Sequence, residues 1–424
     1  MEKLDWVNFY LKFRGPDWTT FGKINGLTFV HNLLSISGKL TLQPFIEDDI
    51  IAIYNGELYN SHSYDSDGYL LIPSYKKWGS CFTQNFDGEF AVVLVDFSQN
   101  KVVISTDLFR TKPLWIAFDD KHWGICTYRT PLERLGFSNV TKIPPNIIWE
   151  MDLTTRDIKS VAPVYTWDLV QHKQHLNHWT AAFSQSISKR VTKTRENIFI
   201  GLSSGYDSGA IACELDLQKI EYSSITVVGK EQIDIVEQRA RKNHFWIKPT
   251  VDVWQHAHDL IVQKVEPYNY TICSSSSDYN EFGLSLHDDS GSNGLSMVCN
   301  LAQQQGYKIY LSGMGADEIF SDYGFAGTKI YPHSNFGGLF PDDLTTMFPW
   351  NSFYGSSMES YLAKEEYVAG AYGIEARYPY LDRDVVQEFL WLTPELKNSK
   401  YKSVLHNYLM NNKYPFVPNK KIGF

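Results

Sequence analysis

Short apolar runs separated by turn residues fill the chain from its start to about residue 155. "GLTFVHNLLSI", "DDIIAIYNGELY", "GEFAVVLVDF", "KVVISTDL" and "PLWIAF" are rich in Val, Ile, Phe and Tyr, and "SQN" and "FDG" punctuate them. Runs of this length and composition predict β-strands, and their succession predicts stacked antiparallel sheets. "KIPPNIIWEMDLTTRD" closes this part with two prolines and a polar turn. A boundary is expected in the linker near residues 160–172, giving an N-terminal domain over 1–165 and a second over 172–424.

From about residue 175 the period changes. "WTAAFSQSISKRVTK" has helical spacing, "ENIFIGLSSG" is an apolar strand running into small residues, and "DSGAIACELD" is helical again. "YSSITVVG" followed by the helix candidate "DIVEQRARKNH" repeats the order, as does "GYKIYLSGMGADEIF". Strands alternating with helices predict a parallel, doubly wound α/β sheet. Residues 273–294, rich in Ser, Gly and Asp, read as one long loop, and residues 340–424 read as mainly helical.

The length of 424 residues exceeds what one core usually serves. The formal net charge of -9, with no basic run, excludes nucleic acid as the main expected partner. No apolar run is long enough to cross a bilayer, and the N-terminus lacks a signal-peptide layout, so no membrane partner and a cytoplasmic location are expected. The five cysteines, Cys81, Cys126, Cys213, Cys273 and Cys299, form no C-x-x-C pair. They read as small buried hydrophobes in a reducing compartment.

The candidate chemistry begins at "SSGYDS", residues 203–208, where a buried strand gives way to a helix. Small residues let backbone N–H groups approach an anion, and a helix N-terminus favours negative charge. Ser203, Ser204 and Ser208 add hydroxyl donors, while Asp207 suits a phosphate only through a divalent cation. The absence of G-K-[ST] excludes the Walker type. The plainer alternative is a strand-to-helix turn with Asp207 and Ser208 as an N-cap pair. "LSGMGADEIFSDYG", residues 311–324, repeats the pattern of strand, small residues and acids, so Asp317 could share a cation with Asp207.

These segments resemble the asparagine synthetase and β-lactam synthetase family. "SSGYDS" is similar to its SGGxDS loop, "SGMGADEIFSDY" to its second loop, "YGIEARYPYLDRDVV" to its GxExRxPFLD segment, and "PNKKIGF" to its RxKxGF. "FRGPDW", "LSI", "QPF", "YNGELYN", "FDGEFAVVLVD" and "TDLFRTKPLW" resemble its glutamine amidotransferase domain. The resemblance covers nearly the whole chain. It implies an Ntn-hydrolase-like αββα domain followed by an ATP-pyrophosphatase domain. The implied activity is a ligase that adenylates a carboxylate with Mg-ATP, releases pyrophosphate and passes the acyl group to an amine.

By resemblance, Ser203, Ser204, Gly205, Asp207 and Ser208 would bind pyrophosphate, with Gly313 and Gly315 shaping the second loop. Asp207 and Asp317 would hold Mg2+, and Val228 and Gly229 would line the adenine site. Lys421 matches the lysine that stabilises charge on the reacting phosphate, Glu266 a glutamate that helps deprotonate the nucleophile, and Tyr323 a tyrosine lining the intermediate. Glu375 and Arg377 read equally as a structural ion pair or substrate contacts.

Several departures shape the expectation. The chain starts Met1-Glu2, its first cysteine is Cys81, and Leu33 stands where the family arginine grips glutamine's carboxylate. The N-terminal domain is therefore expected not to hydrolyse glutamine. Asn55 and Gly56 nevertheless stand where an oxyanion hole would be, or form a tight turn between strands. "SSG" replaces SGG, and Arg110 replaces a glycine. The expected partners are a small-molecule carboxylate, or one on a peptide or sugar, with ammonia or an amine; a homodimer is compatible with this. Two other readings compete: a family member that binds or regulates without turnover, and a tRNA-modifying ATP pyrophosphatase, against which charge and the second loop speak.

Overall fold

The computed structural model describes residues 2–61, 65–192, 194–270, 272 and 285–420. Three of the N-terminal apolar runs, "DDIIAIYNGELY", "GEFAVVLVDF" and "KVVISTDL", lie in one six-stranded antiparallel sheet. Its strands are β1 (Phe45–Glu47), β2 (Ile50–Leu58), β3 (Gly88–Asp96), β4 (Lys101–Thr106), β5 (Ile147–Asp152) and β6 (Ile158–Ala162), in the order β6-β5-β4-β3-β2-β1. Side chains alternate across a strand, so neighbouring residues serve different cores. Phe90, Val92, Leu94 and Val103 face one side, with Leu71, Ile72 and Tyr75 of the helix Leu71–Trp78 in the same core. Ala91, Val95, Val102 and Ile104 face the other side, against Leu114, Ile116 and Ile143.

That second face meets a three-stranded sheet of Trp115–Phe118, Trp123–Cys126 and Val140–Lys142. Beyond it, Leu132 of helix α1 (Arg129–Leu135) packs with Trp115 and Ala117. The layers are helix, sheet, sheet, helix, the αββα order expected. A separate hairpin, Trp18–Ile24 with Leu27–Leu33, precedes them.

The second sheet is wholly parallel. Its strands are β7 (Asn197–Gly201), β8 (Ser223–Val227), β9 (His244–Ile247), β10 (Tyr307–Leu311) and β11 (Glu375–Arg377), in the order β9-β8-β7-β10-β11. Ile198, Phe199 and Ile200 are all buried, as a strand covered on both faces requires. Helix α2 (Tyr206–Leu217) follows β7, α3 (Ile233–Arg239) follows β8, and α4 (Val251–Lys264) follows β9. Helix α5 (Ser290–Gln304) packs on β8 and β10, and α6 (Ala316–Phe320) follows β10.

Two expectations about elements need correction. The helix predicted over "DIVEQRARKNH" stops at Arg239, because β9 already begins at His244. The long loop predicted over 273–294 is not a loop throughout: residues 273–284 lie outside the described residues, and α5 starts at Ser290. The Asp289 carboxylate caps it by accepting from the Gly291 and Ser292 N–H groups.

The two sheets' surroundings meet through buried ion pairs. Lys112 donates to Glu366 and to the Ala376 carbonyl, each at 2.7 Å, and Arg14 pairs with the same Glu366. Glu366 sits on α7 (Ser356–Gly370). Burial opposes its charge, but Lys112 and Arg14 outweigh it and hold the carboxyl below its ordinary value. Arg190 joins Glu89 to Asp382, each at 2.9 Å. Arg377 pairs with Glu375 at 2.7 Å and Glu57 at 3.2 Å, which makes "EAR" part of this contact.

Candidate active site

In an open parallel sheet, ligands bind beyond the carboxyl ends of strands where the strand order reverses. Here the reversal lies between β7 and β10, and these strands end in the two small-residue loops. The loops touch: a Cβ on Gly313 would come within 2.9 Å of the Asp207 Cβ. Gly315 adopts φ +95°, and a Cβ there would lie 2.4 Å from Leu381, so both glycines are dictated by close approach.

Asp207 and Asp317 converge on one cation from the chain itself. Lys402 Nζ lies 2.6 Å from Asp207 Oδ1 and 2.7 Å from Asp317 Oδ1. Tyr401 donates to Asp317 Oδ1 at 3.1 Å, and Tyr380 donates to the Asp207 carbonyl at 2.6 Å. Lys402 is 2% exposed and begins the helix Ser403–Asn411 with φ +46°, a strained conformation of the kind that gathers at functional sites. Burial opposes its charge, but Asp207 and Asp317 outweigh it and hold its pKa above the ordinary value. Nothing in the sequence pattern marks Lys402, which lies 195 residues from Asp207.

The first loop is internally bonded. Ser208 Oγ accepts from Ser203 N–H at 2.9 Å and meets Ser203 Oγ at 2.8 Å, while Ser203 Oγ accepts from Gly205 N–H at 3.1 Å. The N-cap pairing offered as an alternative does not form: Gly205 is the N-cap of α2, no side chain caps it, and the Asp207 carboxylate turns to Lys402. Val228 and Gly229 follow β8 directly; Val228 N–H donates to the Ile247 carbonyl, and the space above Gly229 is open. In the second loop, Glu318 accepts from Gly315 N–H at 3.2 Å and from the Tyr323 hydroxyl. Burial, then Asp317, pushes the Glu318 carboxyl up.

The remaining predicted residues lie apart from this cluster or outside the described residues. Glu266, 1% exposed, accepts from Thr130 N–H at the start of α1 at 2.7 Å. Burial pushes it up to about 7. Lys421 lies outside the described residues, but the chain leading to it returns to the loop: Asn419 N–H donates to the Tyr206 hydroxyl at 2.8 Å, and Phe416 packs edge-on to Tyr206. Asn55 and Gly56 form no turn; they lie within β2, paired with Ala91 and Phe90 of β3. Among the described residues the buried Asn55 amide nitrogen has no hydrogen-bond partner.

Comparison with known proteins agrees with both halves. The family model of the glutamine amidotransferase domain matches residues 2–127, and that of asparagine synthase matches residues 178–348. A protein of Methanocaldococcus jannaschii provisionally named asparagine synthetase (glutamine-hydrolyzing) 1 is 24% identical, over 89% of this chain and 71% of its own. Asparagine synthetase (glutamine-hydrolyzing) 3 of Arabidopsis thaliana is 23% identical, over 96% of this chain and 72% of its own.

The chain is similar to asparagine synthetases over both of its halves.

Among solved structures, a glutamine phosphoribosylpyrophosphate amidotransferase from B. subtilis overlaps at a TM-score of 0.26 and 10% identity, covering 48% of this chain and 63% of that one, which adds nothing to the assignment. Among the described residues no helix is long and apolar enough to cross a membrane.

Proposed function

We propose that this protein is a Mg-ATP-dependent ligase that adenylates a carboxylate, releases pyrophosphate and transfers the acyl group to ammonia or an amine, without hydrolysing glutamine. The observation that carries the reading is the convergence of Asp207 and Asp317, from neighbouring strand ends, on one buried ammonium group. Two carboxylates that already share a cation suit a divalent ion, which Mg2+-binding proteins hold with one or two carboxylates plus substrate phosphates. Bound there, Mg2+ would neutralise phosphate charge.

Ser203, Gly205 and Ser208, with the N-terminus of α2, cradle the departing pyrophosphate in this reading. Ser204, within that loop, is buried, and the loop after β8, Val228 and Gly229, lies beside the adenine in this reading. Gly313 and Gly315 let the second loop close on the first. Lys402 keeps the two carboxylates together and adds fixed positive charge beside the phosphates. By the resemblance, Lys421 would stabilise charge on the reacting phosphate, Tyr323 would line the acyl intermediate, and Glu266 would accept the amine's proton.

The carboxylate oxygen attacks the α-phosphorus and pyrophosphate leaves; the amine then attacks the acyl carbon, AMP leaves and the amine's proton passes to the base. The absence of glutaminase activity is inferred from Leu33, which stands in place of the glutamine-gripping arginine. Exchange of labelled pyrophosphate into ATP, driven by a carboxylate without amine, tests the first half-reaction. Ammonia release from glutamine tests the second claim: no release is expected, and turnover at the rate of the ligase would overturn it.

A further inference from the structure

We propose that Glu231, just ahead of α3, and Arg239, its last residue, are positioning residues that brace the pyrophosphate loop. The inference deepens the proposed function and rests on it. Ser204 is the place where this chain departs from the SGG pattern, and its added hydroxyl is 1% exposed. That hydroxyl does not face the cradle. It donates to the Glu231 carboxylate, which also accepts from Ser204 N–H at 2.6 Å. Ser204 Oγ in turn accepts from Gln232 N–H at 3.1 Å, just before α3 begins. One end of α3 is thereby pinned to the middle of the loop.

Arg239 pins the other end. Its guanidinium donates to the Ser203 carbonyl at 2.6 Å and the Gly205 carbonyl at 2.8 Å, the two carbonyls flanking Ser204. A carbonyl turned into an anion site repels the anion. In a trans peptide the N–H points opposite to the C=O, so holding the Gly205 carbonyl turns the Tyr206 N–H to the other side of the loop, at the first turn of α2. The Arg239 Nε donates to the Pro415 carbonyl at 2.8 Å, which ties the returning C-terminal segment to the same point. The guanidinium rests directly on Gly209: a Cβ there would lie 2.6 Å from its Cζ. Arg239 is fully buried without a carboxylate at hydrogen-bond distance among the described residues, so its bonds to the Ser203, Gly205 and Pro415 carbonyls and the Tyr414 ring against its guanidinium stabilise it.

The test is calorimetric binding of inorganic pyrophosphate, Mg-ATP and AMP to the full chain and its variants, each checked for folding by thermal melting. E231A and R239M are expected to weaken pyrophosphate and Mg-ATP about tenfold, the scale of one lost charge-assisted hydrogen bond, and to leave AMP unchanged. E231Q retains an acceptor and should recover most of the loss. G209A, which displaces the guanidinium, should behave as R239M. S204G combined with E231A should be no worse than E231A alone. Equal losses for AMP and pyrophosphate would reduce the pair to a general structural role and overturn the proposal. Tighter pyrophosphate binding by E231A would overturn it too, because Glu231 would then compete for the cradle. Wild-type protein that binds neither pyrophosphate nor Mg-ATP would instead overturn the functional reading, and the brace with it.

Discussion

Lys402 shows how much one residue can organise. It supplies the positive charge between two carboxylates that would otherwise repel each other in a buried site. Removing one partner of a buried ion pair typically costs about 3–5 kcal/mol. Lys402→Met is therefore expected to lower the melting temperature and to abolish turnover. Magnesium should raise its melting temperature more than it raises that of the wild type, because the ion replaces the lost charge. Melting with and without magnesium checks this; a variant as stable as the wild type, and indifferent to magnesium, would contradict it. Glu266 allows a pH prediction. Its folded-state value of about 7 lies above the ordinary 4.5, so between those values the folded state holds a proton that the unfolded state has lost. Its contribution is fully present below pH 4.5 and is lost as pH rises through 7. Glu266→Gln removes this titration, so the stability difference between variant and wild type should shift in the variant's favour across that window. Denaturant unfolding at several pH values measures it.

At the scale of elements, the strands were the most legible feature. β2, β3, β4, β7, β8 and β10 each lie within an apolar run that stands out from its neighbours. The missed elements share a physical reason. β11 is three residues, Glu375, Ala376 and Arg377, whose charged side chains pair with each other and with Glu57 across the domain contact, so no apolar run marks it. The first turn of α5 is made of Ser290, Gly291 and Ser292, which read as loop until Asp289 is seen to cap them. The two site loops were legible because small residues before an acid at a strand end have few other uses. Their common cation was not, because Lys402 reaches them only through the fold. The C-terminal segment gives a prediction at this scale. Tyr206 is its anchor, accepting from Asn419 N–H and meeting His406 Nδ1 at 3.1 Å. Tyr206→Phe removes both bonds, at about 1 kcal/mol each. Hydrogen exchange in residues 415–420 should quicken while the sheet strands stay protected; unchanged exchange there would show that the segment is held by other contacts.

At the scale of the molecule, the αββα part and the parallel-sheet part are joined by charges that neither could bury alone. Glu366 pairs with Lys112 and Arg14 from the N-terminal half, and Glu57 joins the Arg377–Glu375 pair from that side. The chain is accordingly expected to unfold in one calorimetric transition. Lys112→Met, which leaves Glu366 with Arg14 alone, should lower that transition or split it in two. Two independent transitions in the wild type would contradict the coupling. The N-terminal half therefore supports the parallel-sheet half structurally. The central claim is the adenylating chemistry at Asp207 and Asp317, and product analysis tests it most directly. The full chain would be given Mg-ATP and a panel of carboxylates with ammonia, with glutamine and with no added amine. At least one acid is expected to yield AMP and pyrophosphate in equal amounts, and Asp207→Asn and Asp317→Asn are each expected to abolish both. ADP and phosphate as products, or turnover untouched by either substitution, would contradict it.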